Sequence, residues 1–143
     1  MAREKIPTPI LYCCSWRIGG LSIYAASTDK GAFRISLSLK DEIEGCAYFK
    51  KQALSDHFEE NRAKNRSLIS AVEAALQNRS IPDGIPMDIH GTPFQWKAWK
   101  AITSIPFGMT KTYGEVAAMV GKSAGARAVG QAMSRNPLPL IFP

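Results

Sequence analysis

Residues 112–136, TYGEVAAMVGKSAGARAVGQAMSRN, decide how the second part of the chain is built. Thr112 and Glu115 stand in the T-x-x-E arrangement of a capping box, in which a hydroxyl and a carboxylate each satisfy an orphan backbone donor at a helix start. Val116, Ala117, Met119 and Val120 continue a short helix that Gly121 can close, because a residue without Cβ adopts the left-handed cap at little cost. Ser123 can cap a second helix, predicted from about Ala124 to Met133, before the prolines that follow forbid continuation. Two short helices joined by a tight glycine-containing turn form a helix-turn-helix pattern, which presents a helix to nucleic acid. Helix pairs of this spacing also occur in proteins that never touch DNA, so the pattern alone leaves both readings open.

The second helix narrows the choice. Ala124, Gly125, Ala126, Ala128, Gly130 and Ala132 are all small, and each interior glycine costs about 1 kcal/mol of helix propensity against alanine. Close approach by a partner surface accounts for such a face, and so does tight packing on another helix. Among the small residues Arg127 is the one long cation. Beyond the helix, Asn136 precedes Pro137 and Pro139 comes two residues later, so the loop NPLP is expected to be largely extended and stiff, with the Asn side chain fixing the turn and the apolar Ile141 and Phe142 forming a strand.

Upstream, Thr92 and Pro93 supply an N-cap and an N1 proline for a helix whose buried stripe is Phe94, Ala98, Trp99, Ala101 and Ile102. SIPFGMT ends it. The first part of the chain reads as strands: ILYCCSW, GLSIYAAS and AFRISLSLK are separated by Gly19-Gly20 and by TDKG, which predicts an antiparallel meander. Asp41 to Glu60 fits neither the helical nor the strand period. A helix near Ser67–Gln77 carries Leu68, Ile69, Val72, Ala75 and Leu76 on one face. The punctuation IPDGIP then closes a first lobe of residues 1–85, leaving a second lobe of 86–143.

Composition bounds the function. The 143 residues are 45% hydrophobic and 21% charged, which is globular rather than disordered. No run approaches the roughly 20 apolar residues of a membrane span, and the start MAREKIPTPILYCCSW lacks a secretory core, so a cytoplasmic location is expected. Cys13, Cys14 and Cys46 are odd in number and form no CxxC, which suggests buried free thiols rather than disulfides or a metal knuckle. No cofactor or metal is implied. The net charge is +6, and residues 86–143 hold six basic against two acidic side chains, so the shorter lobe carries most of the excess. A polyanion partner fits that distribution. His57 and His90 have no nucleophile beside them in the pattern and read as surface or loop residues.

Two stretches, GTPFQWKAWKAITSIPFGMTKTYGEVA and ARAVGQAMSRNPLPLIFP, resemble the O6-alkylguanine-DNA alkyltransferase family, the methylated-DNA-protein-cysteine methyltransferases. The resemblance covers almost all of the second lobe. It implies an α+β protein, with an N-terminal ribonuclease-H-like small antiparallel sheet plus helix and a C-terminal helical lobe containing the helix-turn-helix. It also implies a monomeric repair protein that binds double-stranded DNA, flips out an O6-alkylguanine and moves the alkyl group onto itself. The second helix would enter the minor groove, about 6 Å wide, which explains its small residues. Arg127 matches the arginine that fills the hole left by the flipped base, and Tyr113 the tyrosine that crowds the backbone at the target nucleotide. The implied DNA-contacting set is Tyr113, Ala126, Arg127, Gly130, Ser134 and Arg135. The base pocket and its loop would comprise Tyr113, Met133, Asn136 and Pro139.

The family pattern places its acceptor cysteine, then His-Arg, directly after the residue matching Pro143, the last one here. No catalytic residue is therefore expected within the chain as written, which is expected to transfer no alkyl group. Three readings follow: a selenocysteine acceptor whose UGA codon is translated conceptually as a stop, a non-enzymatic damage-binding protein, and an inactive remnant. Selenium is chemically attractive because a selenol ionises more readily than a thiol, and the ionised form is the nucleophile.

Overall fold

A computed structural model describes residues 8–40 and 44–143. Part of the segment read for a secretory leader, residues 1–7, and Asp41–Ile43 of the aperiodic stretch lie outside them. By its contacts the chain divides into two units, Met1–Ser70 with Asp83–Asp88 and Ala71–Pro82 with Ile89–Pro143.

The first unit is a sheet. Strands β1 (Leu11–Ile18), β2 (Leu21–Thr28) and β3 (Gly31–Ser38) form the expected antiparallel meander, turning at Gly19-Gly20 and at Asp29-Lys30. The sheet order is β3-β2-β1-β4, and β4 (Phe58–Glu60) runs parallel to β1, so the sheet is mixed rather than wholly antiparallel. β2 lies centrally, and every residue from Ser22 to Thr28 is buried, which explains its nearly unbroken run of apolar and small side chains. Helix α1 (Gly45–Lys50), placed in the stretch that fits neither period, contributes Phe49 to a core of Leu11, Cys13, Tyr24 and Ala26. Tyr48 stacks on Tyr24 with ring centroids 4.0 Å apart. A short 3-10 turn, Ala63–Asn65, leads into α2 (Arg66–Leu76), whose residues from Ala71 onward are counted with the second unit. Asn65 is fully buried and fully bonded: its amide donates to the carbonyls of Tyr12 and Asn61 and its oxygen accepts from the Ser27 hydroxyl.

The second unit is helical. α3 (Pro93–Thr103) starts on Thr92 as predicted, and Gln95 completes a capping box that the sequence reading did not include. α4 (Tyr113–Met119) begins with the predicted box. The Thr112 hydroxyl accepts from the Glu115 amide at 3.2 Å, and the Glu115 carboxylate accepts from the Thr112 amide at 2.7 Å and from its hydroxyl at 2.9 Å. Gly121 stops α4 at φ +79°, in the left-handed region. α5 spans Ala126–Ser134, two residues later at its start than expected, and its N-cap is Gly125 rather than Ser123. The amide of Gly125 instead donates to the Lys122 carbonyl, closing a turn before the helix. α3, α4 and α5 pack around Ile102, Val116, Ala117 and Val129.

The final loop corrects a further expectation. Ile141 and Phe142 form no strand, and the segment is not extended: the amides of both donate to the Leu138 carbonyl, at 3.1 and 3.0 Å. Leu140 takes φ +74°, a conformation in which a non-glycine residue is uncommon. Leu138, Ile141 and Phe142 are all buried, so the loop is wound up by the burial of its apolar side chains.

Candidate nucleic-acid interface

Most of the predicted contact residues lie on α5 or at its ends. Ala126, Arg127, Gln131 and Ser134 are exposed, Val129 and Ala132 are buried, and Ala128 and Gly130 lie between. Residues 127, 130, 131 and 134 share one helix face at this spacing. Arg127 is the only charged side chain within α5, and it makes no ion pair or hydrogen bond to other described residues. Arg135 is exposed at the C-cap, while the Ser134 hydroxyl donates back to the Gln131 carbonyl at 2.9 Å.

Tyr113 opens α4 and is 51% exposed. Its ring lies against Gly130 of α5, where an added methyl would come within 3.3 Å of the ring carbons. Gly130 therefore serves an internal contact, so tight packing on another helix accounts for the small residue at this position. Met133 is half-buried beside Ile102, Val116, Ala117 and Val129.

The loop after α5 is held by Asn136. Its Nδ2 donates to the Phe142 carbonyl at 2.6 Å, and its Oδ1 accepts from the Leu138 amide at 2.9 Å, so one side chain brackets the whole turn. Pro139 is half-buried within that turn. Sequence reasoning placed Trp99 in the α3 stripe and missed its reach. Its indole N–H donates to the Ala132 carbonyl at 2.9 Å, and its ring stacks on Phe142 at 5.7 Å and 19°. Trp96 meets both rings edge-on. The W-x-x-W spacing was the available signal, since residues three apart share a helix face.

Electrostatics favour an anionic partner for this unit. It holds seven basic and two acidic side chains, a balance of +5. One of the two acids, Glu115, is engaged by the Thr112 backbone and hydroxyl, which hold its carboxyl below the usual range. In the sheet unit, a shallow cleft of about 330 Å³ lined by Arg62, Ala63, Arg66 and Ile69 offers no nucleophile and no acid–base pair. His57 and His90 are exposed and outside helices and strands, as expected. Among the described residues no group of three or more His, Cys, Asp or Glu side chains gathers as a metal site, and no helix is long and apolar enough to cross a membrane.

The thiols are free, as expected, and Cys13 and Cys14 are poorly suited to nucleophilic work. Cys13 and Cys14 are buried and Cys46 is half-buried. Burial is the main cause that raises the Cys13 thiol far above its ordinary value, and it pushes Cys14 up to about 11. At neutral pH Cys14 is then thiolate in roughly one molecule in ten thousand, and only the thiolate attacks.

The helical unit thus combines a slim helix bearing one exposed arginine, an exposed tyrosine packed on that helix and an asparagine-bracketed loop. Residues 93–143 match the 6-O-methylguanine DNA methyltransferase DNA binding domain. Over these residues the chain is similar to the methylated-DNA-protein-cysteine methyltransferase family. The protein of that name from Mycobacterium leprae is 43% identical over 75 residues, 52% of this chain and 46% of the relative. The constitutive Bacillus subtilis protein is 48% identical over 59 residues, 41% of this chain and 36% of the relative. The Methanosarcina acetivorans protein is 36% identical over 94 residues, 66% of this chain and 60% of the relative. The chain thus spans under half the length of the first two. The crystal structure of Mycobacterium tuberculosis O6-methylguanine methyltransferase has the same fold, with a TM-score of 0.70 at 23% identity over 93% of this chain and 75% of that one. The same mycobacterial protein in complex with DNA also gives a TM-score of 0.70, at 23% identity over 92% of this chain and 74% of that one.

Proposed function

We propose that this chain is the reading part of a DNA repair alkyltransferase. Its lobe of residues 86–143 lays α5 in the minor groove of duplex DNA, and an O6-alkylguanine is flipped out with Arg127 taking its place in the stack. Tyr113 crowds the backbone of the target nucleotide, with Ala126, Gly130, Ser134 and Arg135 along the groove. Met133, Asn136 and Pro139 shape the base pocket and the loop beside it. In the whole protein the alkyl group passes to a cysteine or selenocysteine that is none of Cys13, Cys14 and Cys46. The protein acts as a monomer in the cytoplasm.

The observation that carries this reading is the face of α5: one exposed, unpaired arginine beside the small Ala126, Gly130 and Ser134, with Gln131 the one other longer side chain, which suits entry into a groove about 6 Å wide. Filling the vacated stack offsets an unstacking cost of a few kcal/mol, so Arg127 is worth most on a modified duplex. The 143-residue polypeptide should bind a duplex bearing one O6-methylguanine in a fluorescence-anisotropy titration. Arg127→Ala should weaken that binding by about tenfold or more while leaving the circular dichroism spectrum unchanged. With a radiolabelled methyl group, label should stay on the DNA, because Cys13 and Cys14 are buried and all three cysteines lie in the sheet unit rather than in the unit that carries α5. Absence of binding, or equal binding by Arg127→Ala, would sink the proposal.

A further inference from the structure

The described contacts of Trp99 join two parts of the interface that the chain itself separates. Its N–H is bonded to the Ala132 carbonyl in the last turn of α5, where the Arg135 amide also donates to that carbonyl at a longer 3.3 Å. Its ring covers Phe142, whose carbonyl is held by Asn136. Gly91 leaves the space the ring needs, for a methyl there would lie 2.7 Å from the indole carbons. The end of the helix and the end of the loop are therefore both referenced to one rigid side chain on α3.

From these contacts we infer that Trp99 is a positioning residue: it sets the loop of residues 136–143 against α5, and so sets discrimination of O6-alkylguanine from guanine rather than affinity for duplex DNA as such. The inference rests on the DNA-reading function proposed above. Trp99 and Ala132 are both buried, so this bond meets α5 on the side away from its exposed face, and the groove-facing side chains should keep their arrangement when the clamp is loosened.

Two variants loosen it differently. Trp99→Phe keeps an aromatic ring but removes the donor to Ala132, and Gly91→Ala keeps Trp99 but displaces its ring. Amide hydrogen exchange followed by NMR should show faster exchange at Arg135, Asn136, Ile141 and Phe142, by about five- to tenfold, as for loss of one buried hydrogen bond. Val116 and Val120 of α4 should be unaffected. In anisotropy titrations of the same proteins, affinity for unmodified duplex should hold within about twofold, while preference for the O6-methylguanine duplex falls by about fivefold or more. Uniform acceleration across all amides, or no local change in either variant, overturns the clamp. Local acceleration with undiminished preference overturns its role in discrimination. If the unaltered chain binds no duplex, it is the DNA-reading function that fails, and the exchange result alone decides the clamp.

Discussion

Gly130 concentrates the question of why α5 is so slim. Glycine within a helix costs about 1 kcal/mol against alanine, so Gly130→Ala alone should stabilise the helix. The Tyr113 ring opposes that gain, because a methyl at 3.3 Å forces it outward by a few tenths of an ångström. A half-exposed ring can yield, so the shift should appear in function before stability. We expect Gly130→Ala to change the thermal midpoint by at most a few degrees and to lower affinity for an O6-methylguanine duplex. A double-mutant cycle separates the two causes. If the methyl acts only by moving the ring, Gly130→Ala will cost nothing in a Tyr113→Ala background. If it acts by thickening the groove face, the two costs will add.

At the scale of elements, the capping boxes show how far local chemistry reaches. Thr112 and Glu115 were readable as a pair because both partners lie within four residues, and the structure places them as the sequence predicts. The Glu115 carboxyl is held below its ordinary value mainly by the Thr112 backbone N–H. Its contribution to stability is therefore complete above the unfolded value of about 4.5 and is lost as pH falls through the lower folded one. Glu115→Gln can keep the box, as Gln95 does for α3, while removing the charge. Thermal midpoints measured between about pH 3 and 6 should thus fall less steeply for Glu115→Gln than for the unaltered chain, and identical acid limbs would refute the assignment. Elements with distant partners were harder to read. β4 is three residues long and pairs with β1 across more than forty intervening residues, leaving no local pattern to detect. The turn at Leu140 needs a left-handed leucine, which no local preference favours and which the burial of Leu138, Ile141 and Phe142 imposes. Arg127 and Asn136 stood out in the sequence one by one and Tyr113 was singled out through the family resemblance, whereas the bond from Trp99 to Ala132 exists only once α3 and α5 have packed.

For the whole molecule the decisive quantity is where the charge sits. The net +6 is shared unequally: the sheet unit carries eleven basic and ten acidic side chains, the helical unit seven and two. A polyanion that neutralises basic groups releases condensed counterions, and the logarithm of the association constant falls with the logarithm of salt by about 0.9 for each phosphate neutralised. If binding runs through the helical unit alone, the magnitude of that slope should lie at about 3 to 5, since its excess charge and not the whole molecule's cationic count sets the number of phosphates reached. The argument separates single residues as well. Arg135→Ala removes an exposed cation at the end of α5 and should lower the slope by about 1. Lys30→Ala removes an exposed cation from the turn between β2 and β3, on the nearly balanced unit, and should leave it unchanged. Anisotropy titrations on an unmodified duplex at several salt concentrations measure all three slopes. Equal reductions for the two variants would show that the sheet unit also meets the backbone and that the charge division between the units does not locate the interface.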